Sequence, residues 1–166
     1  LLYKSNPTLF EWAASPIVYM ETEFAGQLRN VMNTYFSTKK SLYHYISMAE
    51  GNYREFLRGA NVKAKKYFYV LRPVLACRWI LEKGTPPPMR FTELMAAELP
   101  GTLHSEMEHL LELKMNAPEI KEIPRIDVLN EYLDTSITEI KNLLLDMNDT
   151  KKMEWETLDQ MFLEAL

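Results

Sequence analysis

The sequence predicts an all-α fold, a compact multi-helix domain of about seven or eight helices. Apolar residues recur with helical spacing along almost all of its 166 residues, which is the pattern of amphipathic helices. Segments that alternate apolar and polar residues, as half-buried strands do, are not found. Apolar residues make up 47% and charged residues 25% of the chain, which is typical of a globular protein that can bury a core. We therefore expect a single helical domain over residues 1–166.

The helix boundaries follow from local signals. The first helix starts at Asn6 and Pro7, because asparagine caps helices well and proline is favoured at the first helical position. Pro16 ends this helix early, and Gly59 and Gly84 mark the ends of two later ones. The predicted helices after the first cover about 21–36, 39–58, 62–83, 92–99, 102–116, 124–148 and 151–166.

Three further sequence features predict a helix cap, a kink and a hinge. Thr92 is the predicted cap of the short helix that precedes Pro100. Pro73 removes a backbone donor inside the helix predicted over 62–83, so we expect a kink there. The three prolines at 86–88 predict a possible hinge near 84–90, between a basic front half and an acidic back half.

The formal charge of −4 hides a strong asymmetry. Residues 39–90 hold eleven Lys and Arg against three Glu, a net charge of +8, whereas residues 91–166 have a net charge of −11. Two interpretations stay open: the basic and acidic segments pack together and neutralise each other, or the basic one forms a surface for polyanions such as RNA or nucleoside triphosphates.

The composition also predicts the cellular compartment of the chain. Cys77 is the single cysteine, so no internal disulfide can form, and this suits a reducing, cytoplasmic compartment. The longest apolar runs, such as 67–71, hold about five residues and are far too short to span a membrane. Residue 1 is leucine and 1–4 read like the end of an element, so we expect a piece of a longer protein.

Several kinds of catalytic motif are missing from the sequence. The five glycines lie far apart, so no phosphate-binding loop or dinucleotide fingerprint can be built from them. No Asp-x-Asp pair is present for a two-metal site. Glu106 and His109 have the spacing of a di-iron ligand pair, but a second such pair is missing. We predict no catalytic residue and no metal ligand in this chain.

The helix predicted over 62–83 contains the strongest binding signal. At about 100° per residue, Lys65, Arg72 and Lys83 fall in one narrow sector, which Tyr69 and Trp79 flank. Basic side chains bordered by aromatic rings suit phosphate contact and base stacking, although a solvated helix face would have the same pattern.

Arg78 lies apart from this stripe, in an apolar sector. Its guanidinium needs a carboxylate or an anionic ligand there, because an unpaired buried charge is costly. We expect an internal partner such as Glu11.

Four blocks of the sequence resemble a known family. They are NPTLFEW at 6–12, SPIVY at 15–19, KKYFYVLRP at 65–73 and ACRWI at 76–80. They are similar to stretches of the predicted nucleotidyltransferases of the DNA polymerase β superfamily, of the type linked to an RNA repair pathway. Weaker similarity extends to Lys114, so the resemblance covers about residues 1–115.

This resemblance implies a parent protein with an N-terminal α/β nucleotidyltransferase core. That core carries a Gly-Ser loop and acidic residues that hold Mg²⁺, and neither motif occurs in this chain. The chain then corresponds to the C-terminal helical part, with no cofactor of its own. The implied partners are the core, a nucleoside triphosphate and RNA.

We predict that this part helps bind nucleotide or RNA. From the stripe geometry rather than from the family, the predicted contacts are Lys65, Lys66, Tyr69, Arg72 and Arg78, with Asn6 and Tyr19 as secondary choices. The alternative is a non-catalytic helical module that binds a protein partner. A helical ribonuclease is a third class, but its expected Arg-x4-His signature is missing.

Overall fold

A computed structural model describes residues 1–116, 122–148 and 154–164 of the chain. Eight α-helices lie within these residues, together with 3-10 turns at Leu2–Lys4 and Gly101–Leu103. The helices are α1 (Pro7–Ala13), α2 (Glu23–Tyr35), α3 (Thr38–Phe56), α4 (Ala64–Lys83), α5 (Phe91–Glu98), α6 (His104–Asn116), α7 (Asp127–Asp146) and α8 (Glu156–Glu164). The all-α prediction is confirmed. The predicted start of the last helix, at 151, and its end, at 166, lie outside the described residues.

Most predicted helix ends lie within about two residues of the observed ones, but residues 62, 63 and 124, which were predicted to be helical, lie in short strands. The Asn6 side chain caps α1 by accepting a hydrogen bond from the Thr8 N–H at 3.0 Å. Gly84 ends α4 with φ of 65°, a left-handed conformation that glycine adopts at little cost. The predicted cap at Thr92 is wrong: α5 begins at Phe91, after Arg90. The Phe91 ring packs edge-on against Phe68 at 5.5 Å between centroids, a contact that favours a cap two residues earlier, at Arg90.

A short two-stranded ribbon was not predicted. Strands β1 (Asn61–Lys63) and β2 (Glu122–Pro124) pair antiparallel, with Val62 opposite Ile123 and both buried. Each strand has three residues, too few for an alternating pattern to be recognised in a sequence.

Helices α3 and α4 form the centre of the core, and α5, α6 and α7 pack against them. Eleven of the twenty residues of α4 are buried. Solvent reaches one strip in its first half, at residues 65, 66, 69 and 72, and several sides of its C-terminal end, at residues 78, 79 and 81–83. The helix is continuous through Pro73; a bend at this residue stays a prediction, as does the hinge near 84–90.

A buried polar network joins the ends of α3, α4 and α7. The Tyr67 hydroxyl donates to Asn130 Oδ1 at 2.7 Å and accepts from the Ile126 N–H at 2.7 Å. Asn130 Nδ2 donates in turn to the Leu57 carbonyl at 2.7 Å. Burial raises the pKa of Tyr67, so the hydroxyl keeps its proton and remains a donor.

Within the described ranges, none of the helices is both long and apolar enough to cross a membrane.

Candidate functional site

Four of the five predicted contact residues, Lys65, Lys66, Tyr69 and Arg72, lie on the solvent-accessible strip of α4, and Arg78 lies on another side of the helix. Tyr69 is exposed, and Lys65, Lys66, Arg72 and Arg78 are half-buried. The residues between them are mostly buried, because α4 packs against neighbours on its other sides. The strip is therefore available to a ligand over about two turns of the helix.

Lys66 brings charge and aromatic rings together at the start of this strip. Its ammonium lies 3.5 Å from the centroid of the Phe56 ring and 4.8 Å from that of Tyr69. Such contacts attract the cation to the ring faces and orient it. Tyr69 is partly exposed beside the charge, as base stacking next to a phosphate contact requires.

Arg72 is held by two neighbouring segments. Its guanidinium donates to Glu11 Oε1 of α1 at 2.9 Å and to the Met89 carbonyl at 2.8 Å. Glu11 also accepts a hydrogen bond from the Tyr45 hydroxyl of α3 at 2.8 Å. The carboxylate of Glu11 thus connects α1 to both central helices. Arg72 holds the segment that follows the prolines at 86–88 against α4, through the Met89 carbonyl.

Arg78 has a different carboxylate partner from the one expected. Glu11 pairs with Arg72 instead, while Arg78 donates to Glu139 of α7 at 3.1 Å and to the Ser136 hydroxyl at 2.8 Å. Six residues after Arg72, Arg78 points toward another side of α4, and α7 is the helix that packs there. The expectation of an internal partner is confirmed, and its identity is wrong.

The surroundings of Arg78 differ from those of Lys66. The guanidinium lies 5.5 Å from the Tyr132 ring, and burial raises the pKa of that tyrosine. Arg78 also lines a cavity of about 440 Å³ with Glu82 and Glu98. Burial, with the negative charge of Glu82, raises the pKa of Glu98. The structure therefore brings Lys66 and Tyr69 together and places Arg78 in a separate, partly acidic setting.

Asn6 and Tyr19, the two secondary predicted contacts for nucleotide or RNA, lie in different surroundings. Asn6 caps α1, so its side-chain oxygen is already engaged. Tyr19 is 98% exposed, and the apolar residues Ile17, Val18 and Met20 around it are exposed as well. Four consecutive exposed apolar residues are unusual on a free surface.

In the part of the chain that the structure describes, no group of three or more His, Cys, Asp or Glu could hold a metal ion. Glu106 and His109 therefore have no third ligand among those residues. The side chains of the described residues therefore do not form a di-iron site.

One basic and aromatic cluster was missed in the sequence. Tyr3 and Lys4, from the first 3-10 turn, line a cavity with Lys40, Tyr43 and His44 of α3. The α3 residues recur at i, i+3 and i+4, a spacing that places them on one helix face. That spacing is visible in the sequence, but the approach of residues 3 and 4 is not.

Ion pairs between described residues connect the basic segment 39–90 with the acidic segment 91–166. Arg78 of the basic segment pairs with Glu139 of the acidic segment. Lys141 of the acidic segment pairs with Glu50 of the basic segment at 2.6 Å. Basic residues of α4 remain at the surface.

The family model RlaP, described as RNA repair pathway DNA polymerase beta family, matches residues 1–164. The chain belongs to this family. The match extends well beyond residue 115, where the resemblance was expected to end.

One relative is also similar to the chain. The uncharacterized protein YcgL of Bacillus subtilis (strain 168) is 44% identical over 170 residues, covering 100% of this chain. The chain spans 65% of the length of that relative. No solved structure matches the chain.

Proposed function

We propose that this chain is the helical accessory part of a polymerase-β-like nucleotidyltransferase and that it helps to bind nucleotide or RNA. Family membership is the observation that carries the proposal. Nucleotidyl transfer itself belongs, in this proposal, to the portion of the longer protein that the relative has and this chain does not. Mg²⁺ would neutralise charge on the transferring phosphate there, and we assign no ligand of that ion to this chain.

Lys65, Lys66 and Tyr69 are proposed to touch the ligand directly. Lys66 sits between two rings, one of them the partly exposed Tyr69, so a phosphate and a base can bind side by side. Lysines contact phosphates through charge without reading sequence, so this strip would favour nucleic acid or nucleotides in general.

Arg72 and Arg78 are proposed to act mainly by positioning. Each guanidinium already donates to a carboxylate, Glu11 or Glu139. Arg72 in addition holds the backbone at Met89. Through these contacts the two arginines keep α4 in register with α1, α7 and the segment that follows α4.

The exposed apolar segment 17–20 is proposed to pack against the remaining polypeptide of the longer protein. Tyr19 and its neighbours would lose most of their exposure in such a contact, and apolar burial drives this kind of association. The relative has 35% of its length outside the match, because the chain spans 65% of it, which leaves room for a docking partner in the same protein.

Equilibrium binding of a fluorescent single-stranded RNA decamer and of ATP tests the proposal. Tyr69→Ala should weaken binding of the decamer at least about fivefold, because a stacked base contributes about 1–3 kcal/mol. Lys66→Gln should weaken both ligands. Lys141→Gln is the matched control, since it removes one positive charge from an exposed ion pair on α7. Equal affinities in all four proteins would contradict the proposal.

The alternative, a non-catalytic protein-interaction module, is favoured by the same exposed segment. A Tyr19→Ser variant separates the two: it should leave RNA binding by this chain unchanged under our proposal. If this chain binds no RNA, and Tyr19→Ser abolishes association with a separate protein, the interaction module is correct.

A further inference from the structure

We infer that a cavity between the first 3-10 turn and α3 binds one nucleoside monophosphate unit, either a free nucleotide or the terminal residue of a single-stranded RNA. The inference deepens the proposed function and rests on it. The cavity measures about 550 Å³ and is lined by Tyr3, Lys4, Lys40, Tyr43, His44 and Ser47. Its volume falls within the range of small-molecule sites, about 300–1,000 Å³.

One wall of this cavity is a single face of α3. Lys40, Tyr43, His44 and Ser47 recur at i, i+3, i+4 and i+7, so they stack along one side of the helix. The opposite side of α3, which includes Leu42 and Ile46, is buried. The cavity therefore lies across α3 from the core, on a different helix from the α4 strip.

The other wall is fixed by a buried serine. Ser5 has a left-handed backbone, with φ of 52°, and its hydroxyl accepts from the Ser37 N–H at 2.7 Å. It also donates to the Tyr35 carbonyl at 3.2 Å. These bonds join the first turn to the start of α3, so Tyr3 and Lys4 are held beside Lys40 before any ligand arrives. Such pre-organisation reduces the cost of binding.

The aromatic residues provide faces for a planar ring. Tyr3 stacks on Trp155 with 4.0 Å between centroids, so Trp155 covers one face of the Tyr3 ring and helps to hold it in place. Tyr43 is 48% exposed and borders the same cavity. A nucleobase stacking on such a face is sequence-tolerant, since every base has a π-face.

The two lysines of the cavity favour an anion. Lys4 and Lys40 line it, and none of the six described lining residues is acidic. The Lys40 ammonium lies 5.5 Å from the centroid of the Tyr3 ring, so positive charge and an aromatic face adjoin each other. A nucleoside monophosphate combines a planar base with a phosphate and matches both features.

The test compares binding of AMP and of a 5′-fluorescein single-stranded RNA decamer to the full chain and its variants. Tyr43→Ala should weaken binding of at least one of these ligands about fivefold or more, and Tyr43→Phe should restore it because the ring remains. Lys40→Gln should also weaken binding. Arg54→Gln, which removes an exposed charge from the last turn of α3, is the matched control and should have no effect.

The pattern of results identifies the ligand and separates this inference from the proposed function. Weakening of AMP binding would mark a free-nucleotide site, and weakening of the decamer alone would mark an RNA end. If Tyr69→Ala weakens the decamer while Tyr43→Ala and Lys40→Gln change neither ligand, the cavity inference is overturned and the proposed function stands. If the unmodified chain binds neither ligand at low salt, both are overturned.

Discussion

Replacing Glu11 by alanine should destabilise the chain more than any other single change to its ion pairs. Its carboxylate accepts from the Arg72 guanidinium at 2.9 Å and from the Tyr45 hydroxyl at 2.8 Å. The Glu11 and Arg72 side chains are only 23% and 26% exposed, and Tyr45 is buried. Burial and the charge of Glu11 raise the pKa of Tyr45, so the tyrosine remains a donor with no other acceptor provided by the variant.

The expected cost follows from the two donors that lose their acceptor. Hydrogen bonds to a charged group contribute about 1.5–3 kcal/mol, and breaking a fully buried ion pair costs about 3–5 kcal/mol. Because this pair keeps some exposure, we expect Glu11→Ala to lower the free energy of unfolding by about 2–3 kcal/mol. The midpoint of thermal unfolding should fall by about 5–10 °C.

Urea and thermal unfolding followed by circular dichroism at 222 nm measure both quantities. Glu139→Ala is the matched control, because it breaks the Arg78 ion pair with a carboxylate that is 56% exposed. Exposed pairs contribute about 0–1 kcal/mol, so this variant should remain close to the unmodified chain. If the two variants lose equal stability, or Glu11→Ala loses less than about 0.5 kcal/mol, the account of the Glu11 contact is refuted.

Three further predictions concern backbone strain, thiol access and pH. Gly84→Ala should lower the free energy of unfolding in urea by about 1 kcal/mol, because Gly84 has φ of 65°. Gly51→Ala should raise it by about 0.5–1 kcal/mol, because Gly51 lies inside α3 and nothing lies within 4 Å of the added methyl group. The buried Cys77 thiol, whose pKa burial raises, should react with a disulfide reagent at least about a hundredfold more slowly in the folded chain than in urea; equal rates would contradict its burial. The pKa of Glu98 is raised in the folded state, so its contribution to stability is present at acidic pH and is lost as pH rises through that pKa. Between pH 4 and 7, Glu98→Gln should therefore become more stable relative to the unmodified chain as the pH rises. A difference in the free energy of unfolding that does not change with pH would contradict the raised pKa of Glu98.

Signals that act within a few residues were enough to predict most helices. The cap at Asn6 and the termination at Gly84 depend on hydrogen bonds and backbone angles of the residues themselves. The accessible strip of α4 was likewise predicted from the spacing of its charged residues. Three-residue strands fall below the length at which an alternating pattern exists, so the ribbon at 61–63 and 122–124 was missed.

Features that depend on packing between distant segments were not predictable in this way. Helical spacing along α4 indicates that Arg72 and Arg78 both need partners, but it does not specify which helix lies opposite each. Because α1 packs beside α3 near Arg72, Glu11 meets that arginine. The cavity at Tyr3 and Tyr43 arises in the same manner, from a contact between residues forty positions apart. The nucleotide contacts proposed for the α4 strip stay a prediction.

The salt dependence of RNA binding shows whether the lysines of α4 contact the phosphates of nucleic acid. The measurement is the slope of log affinity against log salt for a single-stranded RNA decamer, for the unmodified chain and for the Lys65→Gln/Lys66→Gln double variant. Each phosphate contact contributes about 0.7 to this slope for single strands, so the double variant should have a slope shallower by about 1.4. An unchanged slope, or no binding by the unmodified chain at 50 mM salt, would contradict a role for α4 in binding nucleic acid.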